Sequence, residues 1–450
     1  MRNQTFTEHV AHKVSIFQQA LDESGINCLF IASGSSISQF RDDINYPFKT
    51  NPYFKEFLPL IGQPDCFLQL DRDNHTPRLF IKEVDDFWHS SPTALKACYL
   101  TPFDVQPYHD SRDLASLKQH KSCALISPDA TYPAFCPTAL INPEPLLTFI
   151  DYYRATKTRY ELDCIRRANA TAVKGHRAAK AAFLQGKSEQ QIHLDYLQAS
   201  GQTESQIPYP NIVALNQHAA VLHHTLLDNT PPGNTSLKNR QASSNSLLID
   251  AGASFNGYAS DITRTYCAQQ GEPIFEALIN GIDHFQKKLV DGLRVGDHYT
   301  DTHLSAHQYV AELLCELGII RVTPQQAVDE QITSTFFPHG VGHLLGLQVH
   351  DRGGHLHNDR GVLHLPPKEH PFLRCTRIIA ENMVFTVEPG VYFIPSLLDK
   401  LRRNHPTCAD WSLIEQLRPY GGARIEDNIV VSHSGVENIT RQAFSQEKTA

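Results

Sequence analysis

Leu247-Leu248-Ile249-Asp250-Ala251-Gly252-Ala253-Ser254-Phe255-Asn256-Gly257-Tyr258-Ala259-Ser260-Asp261-Ile262-Thr263-Arg264-Thr265 is the stretch on which the fold turns. Asn256-Gly257 is the strongest short hairpin signal a sequence carries, because both residues tolerate the positive φ a tight primed turn needs. With those two at the turn, Phe255 faces Tyr258 and Asp261 falls opposite Gly252. Asp250 then sits two residues along on the same face, a diagonal neighbour about 5.5–8 Å away. Two carboxylates over one spot, with a glycine leaving room, predict a cation site. Three further motifs offer partners: PHGVGHLLGLQVHD with His343, FTVEPGVYF with Glu388 and GGARIEDNIVV with Glu426. Each lies in or beside a short apolar run suited to a buried strand, where a carboxylate is costly unless paired, hydrogen-bonded or bound to metal. Asp250, Asp261, His343, Glu388 and Glu426 together make a site for two divalent cations and point to a hydrolase using metal-bound hydroxide.

Around His343 the glycines disfavour a helix. In extended chain, residues four apart share a face, so His339 and His343 point the same way. His350 is seven residues on and joins them only if the chain bends, at Gly346. Arg424 and Glu426 share a strand face, either as a same-strand ion pair or as a metal-bridging Glu braced by an Arg. Oxygen ligands with a single His suit Mn²⁺, with Co²⁺, Zn²⁺ and Fe²⁺ as alternatives.

The 450 residues are enough for two or three domains, and 41% hydrophobic with 20% charged residues is ordinary for a soluble protein. A net charge of −8 argues against a nucleic-acid binder. No window approaches a membrane span, and the N-terminus lacks a signal-peptide core. The ten cysteines are scattered with no C-x-x-C pair, which reads as reduced thiols and a cytoplasmic enzyme. The first part reads as α/β: a helix at 8–23, then strands at 27–32, FLQLD (67–71), RLFIK (78–82) and CALISP (123–128). A Pro-rich stretch, 133–145, closes it, and a helix-forming segment runs from about 157 to 200. The expected domains are 1–155 and 156–450. Residues 226–246, rich in Pro, Gly, Asn and Ser, read as a long exposed loop.

The ordered set Asp–Asp–His–Glu–Glu resembles the creatinase/methionine aminopeptidase superfamily, and more narrowly the bacterial Xaa-Pro dipeptidases, or prolidases, which include the organophosphorus acid anhydrolases. The resemblance runs through Asp42-Asp43-Ile44-Asn45-Tyr46-Pro47-Phe48, Asp86-Phe87-Trp88-His89, YRATKTRYELDCIRRAN (153–169), YPNIVALNQHAAVLHHT (209–225), LRCTR (373–377) and GGARIEDN (421–428). It implies an α+β protein: a smaller N-terminal α/β domain followed by a pita-bread catalytic domain with a dinuclear metal centre. By the same resemblance Asp250 chelates one metal, Asp261 and Glu426 bridge both, and His343 and Glu388 complete the second. A hydroxide between the metals attacks the scissile carbonyl, with Glu388 as general base and acid. His223 and His350 bind substrate and stabilise the intermediate, while His339 and Arg424 line the pocket and hold the dipeptide carboxylate. Tyr209 is a pocket tyrosine, Asp43 reaches a neighbouring subunit's site in a homodimer, and Tyr299 lies on the leaving-group side. The implied activity is hydrolysis of Xaa-Pro dipeptides, with phosphotriesters as a side substrate and aminopeptidase P as the alternative. A metal-free binding protein of the same fold is disfavoured because all five ligands are present. Three departures from the relatives stand out: the longer 226–246 loop, Leu344 where several carry Pro, and Arg352-Gly353 in place of a small apolar pair.

Overall fold

The computed structural model describes residues 2–83, 97–110, 113–114, 122–128, 139–230, 245–268 and 271–446. The Asp86–His89 motif, residues 133–138 of the Pro-rich stretch and residues 231–244 of the 226–246 loop lie outside the described residues. The chain divides into two units, Met1–Asp163 with Asn358–Val362, and Cys164–His357 with Leu363–Ala450.

In the first unit a helix, Arg2–Ser24, precedes β1 (Cys28–Ala32), β2 (Phe67–Asp71), β3 (Asn74–Lys82), β4 (Asp104–Tyr108), β5 (Cys123–Ile126) and β6 (Leu140–Ile141). They form one mixed sheet in the order β4-β3-β2-β1-β5-β6. Strand periodicity explains how β1 serves two cores at once. Leu29 and Ile31 pack with Phe17, Leu21, Phe57 and Leu68, while Cys28 and Phe30 pack on the other face with Cys123 and Leu125. A fully buried strand of this kind has no polar alternation, which is how 27–32 reads in the sequence.

This unit also buries an ionic cluster. Lys13 Nζ lies 2.7 Å from Glu56 and 3.2 Å from Glu161, with all three side chains no more than 2% exposed. His9 Nε2–H donates to the Glu56 carbonyl at 2.7 Å, and Nδ1 accepts from the Thr158 hydroxyl at 2.8 Å.

The helix-forming segment 157–200 is two helices, Arg159–Leu184 and Glu189–Ser200. Gly186 breaks them at φ 74, and Ser188 starts the second with a capping box to Gln191. The second unit continues with β7 (Ile212–Leu215), β8 (Ser246–Asp250), β9 (Ser254–Phe255), β10 (Tyr258–Ala259), β11 (Thr263–Cys267), β12 (Met383–Val387), β13 (Gly390–Tyr392), β14 (Gly422–Arg424), β15 (Asp427–Ser432) and β16 (Gly435–Asn438). Sheets β11-β8-β7, β12-β15-β16 and β13-β14 carry the carboxylates. Asn256 and Gly257 take φ 51 and 86, and Phe255 pairs with Tyr258. The same register continues down the hairpin to Asp250 opposite Thr263. Among the described residues no helix is long and apolar enough to cross a membrane, and the described cysteines are free thiols.

Candidate metal centre

Asp250 ends β8, and Asp261 lies just before β11 on the returning arm of the hairpin. The Tyr209 hydroxyl joins them, 2.8 Å from Asp250 Oδ1 and 2.5 Å from Asp261 Oδ1. Asn428 fixes the Asp261 backbone: its Oδ1 accepts the Asp261 N–H at 3.0 Å and its amide donates to the Asp261 carbonyl at 2.5 Å. A side chain at Gly252 would strike the Ser260 carbonyl at 2.1 Å, so the close approach of the two arms requires glycine there.

His343 sits in extended chain running beside β12. The Thr386 N–H donates to the His343 carbonyl at 2.9 Å, and the Glu388 N–H to the Val341 carbonyl at 2.8 Å. Those two bonds put the His343 imidazole and the Glu388 carboxylate side by side. His343 Nδ1 donates to the Leu344 carbonyl at 3.0 Å. That contact turns Nε2 inward, 3.4 Å from Asp261 and 3.7 Å from Glu388. An imidazole oriented through its outer nitrogen is the usual geometry of a metal-ligating histidine.

Glu426 lies between β14 and β15, where Thr263 donates its hydroxyl to it at 2.6 Å. Asp261, His343 and Glu426 each offer a ligand atom within 4.8 Å of the others. The next carboxylate, Asp427, faces the opposite way and is fully met by Arg264, Arg441, Gln286 and Asn438.

Four carboxylates facing one another, Asp261 and Glu426 buried and Asp250 and Glu388 partly so, perturb their own acidity. Burial lifts Asp250 to about 6, with Arg424 opposing and Asp261 adding. Burial lifts Glu388 to about 7, with His343 and Arg424 opposing and the two aspartates adding. Glu426 is pushed well above the usual range by burial and by Asp261, Glu388 and Asp250. Only Asp261 goes down, because the hydrogen bond and charge of His343 outweigh its burial. This donor set is short of positive charge and fits divalent cations.

Residues 163–433 match the model of metallopeptidase family M24, and residues 4–152 the model described as the Xaa-Pro dipeptidase N-terminal domain. The first match spans more than half of the chain. This chain belongs to metallopeptidase family M24. Its second unit is accordingly the pita-bread fold that the resemblance implies, and M24 membership makes it a metal-dependent peptidase. It is 42% identical over 436 residues to the Xaa-Pro dipeptidase of Shewanella frigidimarina, covering 96% of this chain and 97% of that protein. It is 44% identical over 451 residues to the Xaa-Pro dipeptidase of Pseudoalteromonas atlantica, covering 97% of each. Two solved structures share the fold. Zinc-substituted E. coli aminopeptidase P with product has a TM-score of 0.72 at 21% identity, covering 96% of this chain and 95% of that one. Proline aminopeptidase P II from Yersinia pestis has a TM-score of 0.71 at 22% identity, covering 96% of each.

Within this M24 unit the histidines and Arg424 take more specific places than the sequence suggests. His350 reaches His343, with ring centroids 4.5 Å apart, because the chain bends at Gly346 and Gln348. His223 is exposed, and its charge is felt at His350. His339 is held at both ring nitrogens: Nδ1 donates to the Gly340 carbonyl, and Nε2 accepts from the Tyr392 hydroxyl, both at 2.8 Å. Arg424 reaches Asp250 at 2.5 Å, Tyr392 at 2.8 Å and Thr263 Oγ1 at 3.0 Å. It braces Asp250 directly and Glu426 only through Thr263, not as a same-strand pair. Tyr299 is fully buried, stacks on Phe385 at 4.8 Å and donates to the Thr386 carbonyl at 2.5 Å, which ties it to β12. Asp43 is exposed in the first unit, its N–H turned onto the Asp42 carboxylate at 2.7 Å.

Sequence reasoning missed Tyr392, Thr263 and Asn428. All three lie within the quoted motifs, two to four residues from a chosen ligand. Their polar side chains in otherwise apolar strands are the signal that was available.

Proposed function

We propose that this M24 peptidase is an Xaa-Pro dipeptidase whose substrate is a small dipeptide ending in proline or a related imino acid. The observation that carries this reading is identity of 42–44% to proteins of that name over nearly the whole of both chains. The N-terminal 4–152 match to the Xaa-Pro dipeptidase domain adds to it. The likeness to aminopeptidase P structures, at 21–22% identity, concerns the fold alone. Proline's tertiary amide lacks an N–H and resists general peptidases, which makes a dedicated site chemically reasonable.

Asp250, Asp261, His343, Glu388 and Glu426 would hold two divalent ions, which we assign as Mn²⁺ from the oxygen-rich set with one imidazole. Ions bound there supply Lewis acidity and bring the ionisation of a water toward neutral pH. Glu388, whose side chain is 17% exposed beside His343, takes a proton from the attacking water and returns it to the departing proline nitrogen. Tyr209 and Arg424 fix the two aspartates in one orientation. His223 and His350 stand at the solvent side, where they meet the substrate carbonyl and carboxylate. Among the described residues Arg424 has two of its five N–H donors unengaged, and these would anchor the free carboxylate. We further assign a cytoplasmic homodimer in which Asp43 reaches the partner's site, and slow hydrolysis of phosphotriesters as a side reaction.

The test is an assay with added Mn²⁺ on Ala-Pro, Leu-Pro, Ala-Pro-Ala and Ala-Ala, with Asp261→Asn as control. Cleavage of the two Xaa-Pro dipeptides alone, lost in the variant, supports the reading. Efficient cleavage of Ala-Pro-Ala moves it to aminopeptidase P.

A further inference from the structure

Away from the metal centre, one fully buried carboxylate gathers a segment that the catalytic reading depends on. Glu189 opens the helix Glu189–Ser200 and has no exposed surface. Its Oε1 accepts the Leu215 N–H at 2.8 Å and His218 Nδ1 at 2.7 Å. Its Oε2 accepts His224 Nε2 at 2.8 Å and the Asp228 N–H at 2.8 Å. The two imidazoles lie against each other with centroids 4.5 Å apart. The Gln190 N–H adds a bond to the Asp228 carbonyl at 3.1 Å. A buried anion is tolerated only when so surrounded, and its place in the first turn of a helix favours it further. Four donors already fill the carboxylate, so the arrangement is a clamp and not a vacant cation site.

The clamp grips residues 215, 218, 224 and 228, which are both ends and the middle of one excursion from β7. A second grip lies at the far side of the excursion. Asn216, held at φ 56, accepts the N–H groups of Asn245 at 2.7 Å and Ser246 at 3.2 Å, where the chain enters β8. His223 sits inside the excursion between two anchored neighbours. Leu222 packs on the cluster of Ile212, Ala214, Leu248 and Tyr392, and His224 is held by Glu189. With both flanking side chains turned inward, the His223 side chain is left facing out.

We propose that Glu189 is a positioning residue: through His224 it fixes the direction of His223 toward the substrate. This rests on the proposed part of His223 in dipeptide binding.

The test uses the full-length protein loaded with Mn²⁺. In Glu189→Gln one oxygen becomes a donor facing N–H groups, so amide exchange across 212–230 should accelerate about tenfold or more while metal content stays unchanged. In the same variant kcat/KM for Ala-Pro should fall about tenfold, carried mainly by KM, and Glu189→Gln should add nothing in a His223→Ala background. His224→Gln, which leaves the buried carboxylate and its two backbone donors in place, should give a smaller loss with the same non-additivity. It serves if Glu189→Gln fails to fold. Unchanged exchange, or a Glu189→Gln loss that multiplies with His223→Ala, overturns the proposal. Absence of any dipeptide turnover by the native enzyme defeats the functional reading instead, and the exchange result still judges the clamp.

Discussion

Two places in this molecule bury several ionised side chains, and they solve the problem in opposite ways. In the first unit Lys13 stands between Glu56 and Glu161. Lys157 and the Thr158 N–H also face Glu161, so despite complete burial its carboxyl is held down at about 2. Burial would lower the Lys13 ammonium, but the two glutamates outweigh it and raise it. In the second unit Asp250, Glu388 and Glu426 all go up, because burial and the neighbouring carboxylates outweigh the charge of Arg424. The first cluster is complete within the chain. The second has four carboxylates against one guanidinium and one imidazole among the described residues, a donor set that fits cations from outside.

The sharpest break of this comparison is to remove the outside partner. Asp261→Asn should lower peptidase activity by about a thousandfold or more, with loss of bound metal measured by elemental analysis. In the unsubstituted protein, stripping with chelator and returning Mn²⁺ at a hundredfold excess over Kd should restore about 2.7 kcal/mol of stability to the second unit. Next in size is the self-contained cluster. Lys13→Met leaves two buried glutamates without their partner and should cost about 3–5 kcal/mol in urea unfolding, with metal content unchanged. Adding Glu56→Gln and Glu161→Gln to that variant should recover most of the loss. A smaller effect is expected from Tyr392→Phe. It cuts the relay from Arg424 to His339 while keeping the ring, and kcat/KM should fall about tenfold with little change in melting temperature.

An effect of comparable size, on stability alone, concerns a buried group outside both clusters. Burial pushes the His176 imidazole from 6.5 down to about 3, and its Nε2 lies 2.9 Å from the Ala251 carbonyl. Its folded pKa is depressed, so its contribution is intact above the unfolded value of 6.5 and is lost as pH falls from there toward 3. Going from pH 7 to pH 5 should remove about 2 kcal/mol from this residue alone. Urea midpoints at the two pH values should show that difference between the native protein and His176→Gln.

What could be read in advance was local. Asn256-Gly257 set the hairpin register by turn chemistry alone, and that register carries Asp250 and Asp261 to one phenol, Tyr209. Strands 67–71 and 27–32 are legible because a buried strand needs little beyond short, branched apolar runs. The helix reading of 157–200 passed over its break because Gly186 is one residue in an otherwise helix-favouring stretch. Contacts made at long range were hidden. Glu189 meets partners 26 to 39 residues away. Lys13 sits on a helix whose sequence offers no sign that its amine is buried.

Glu426 and Asp427 share a peptide bond and almost nothing else. One turns toward Asp261 and His343, and the other is consumed by Arg264, Arg441, Gln286 and Asn438 on the far side of the strand. Strand geometry alternates strictly, so the chain here counts in twos. Losing or gaining one residue between Gly422 and Glu426 would leave composition and charge nearly untouched while exchanging the two carboxylates. Length in this stretch is therefore as much a part of the chemistry as the identity of its acids, and natural variation should respect parity here before it respects side-chain type.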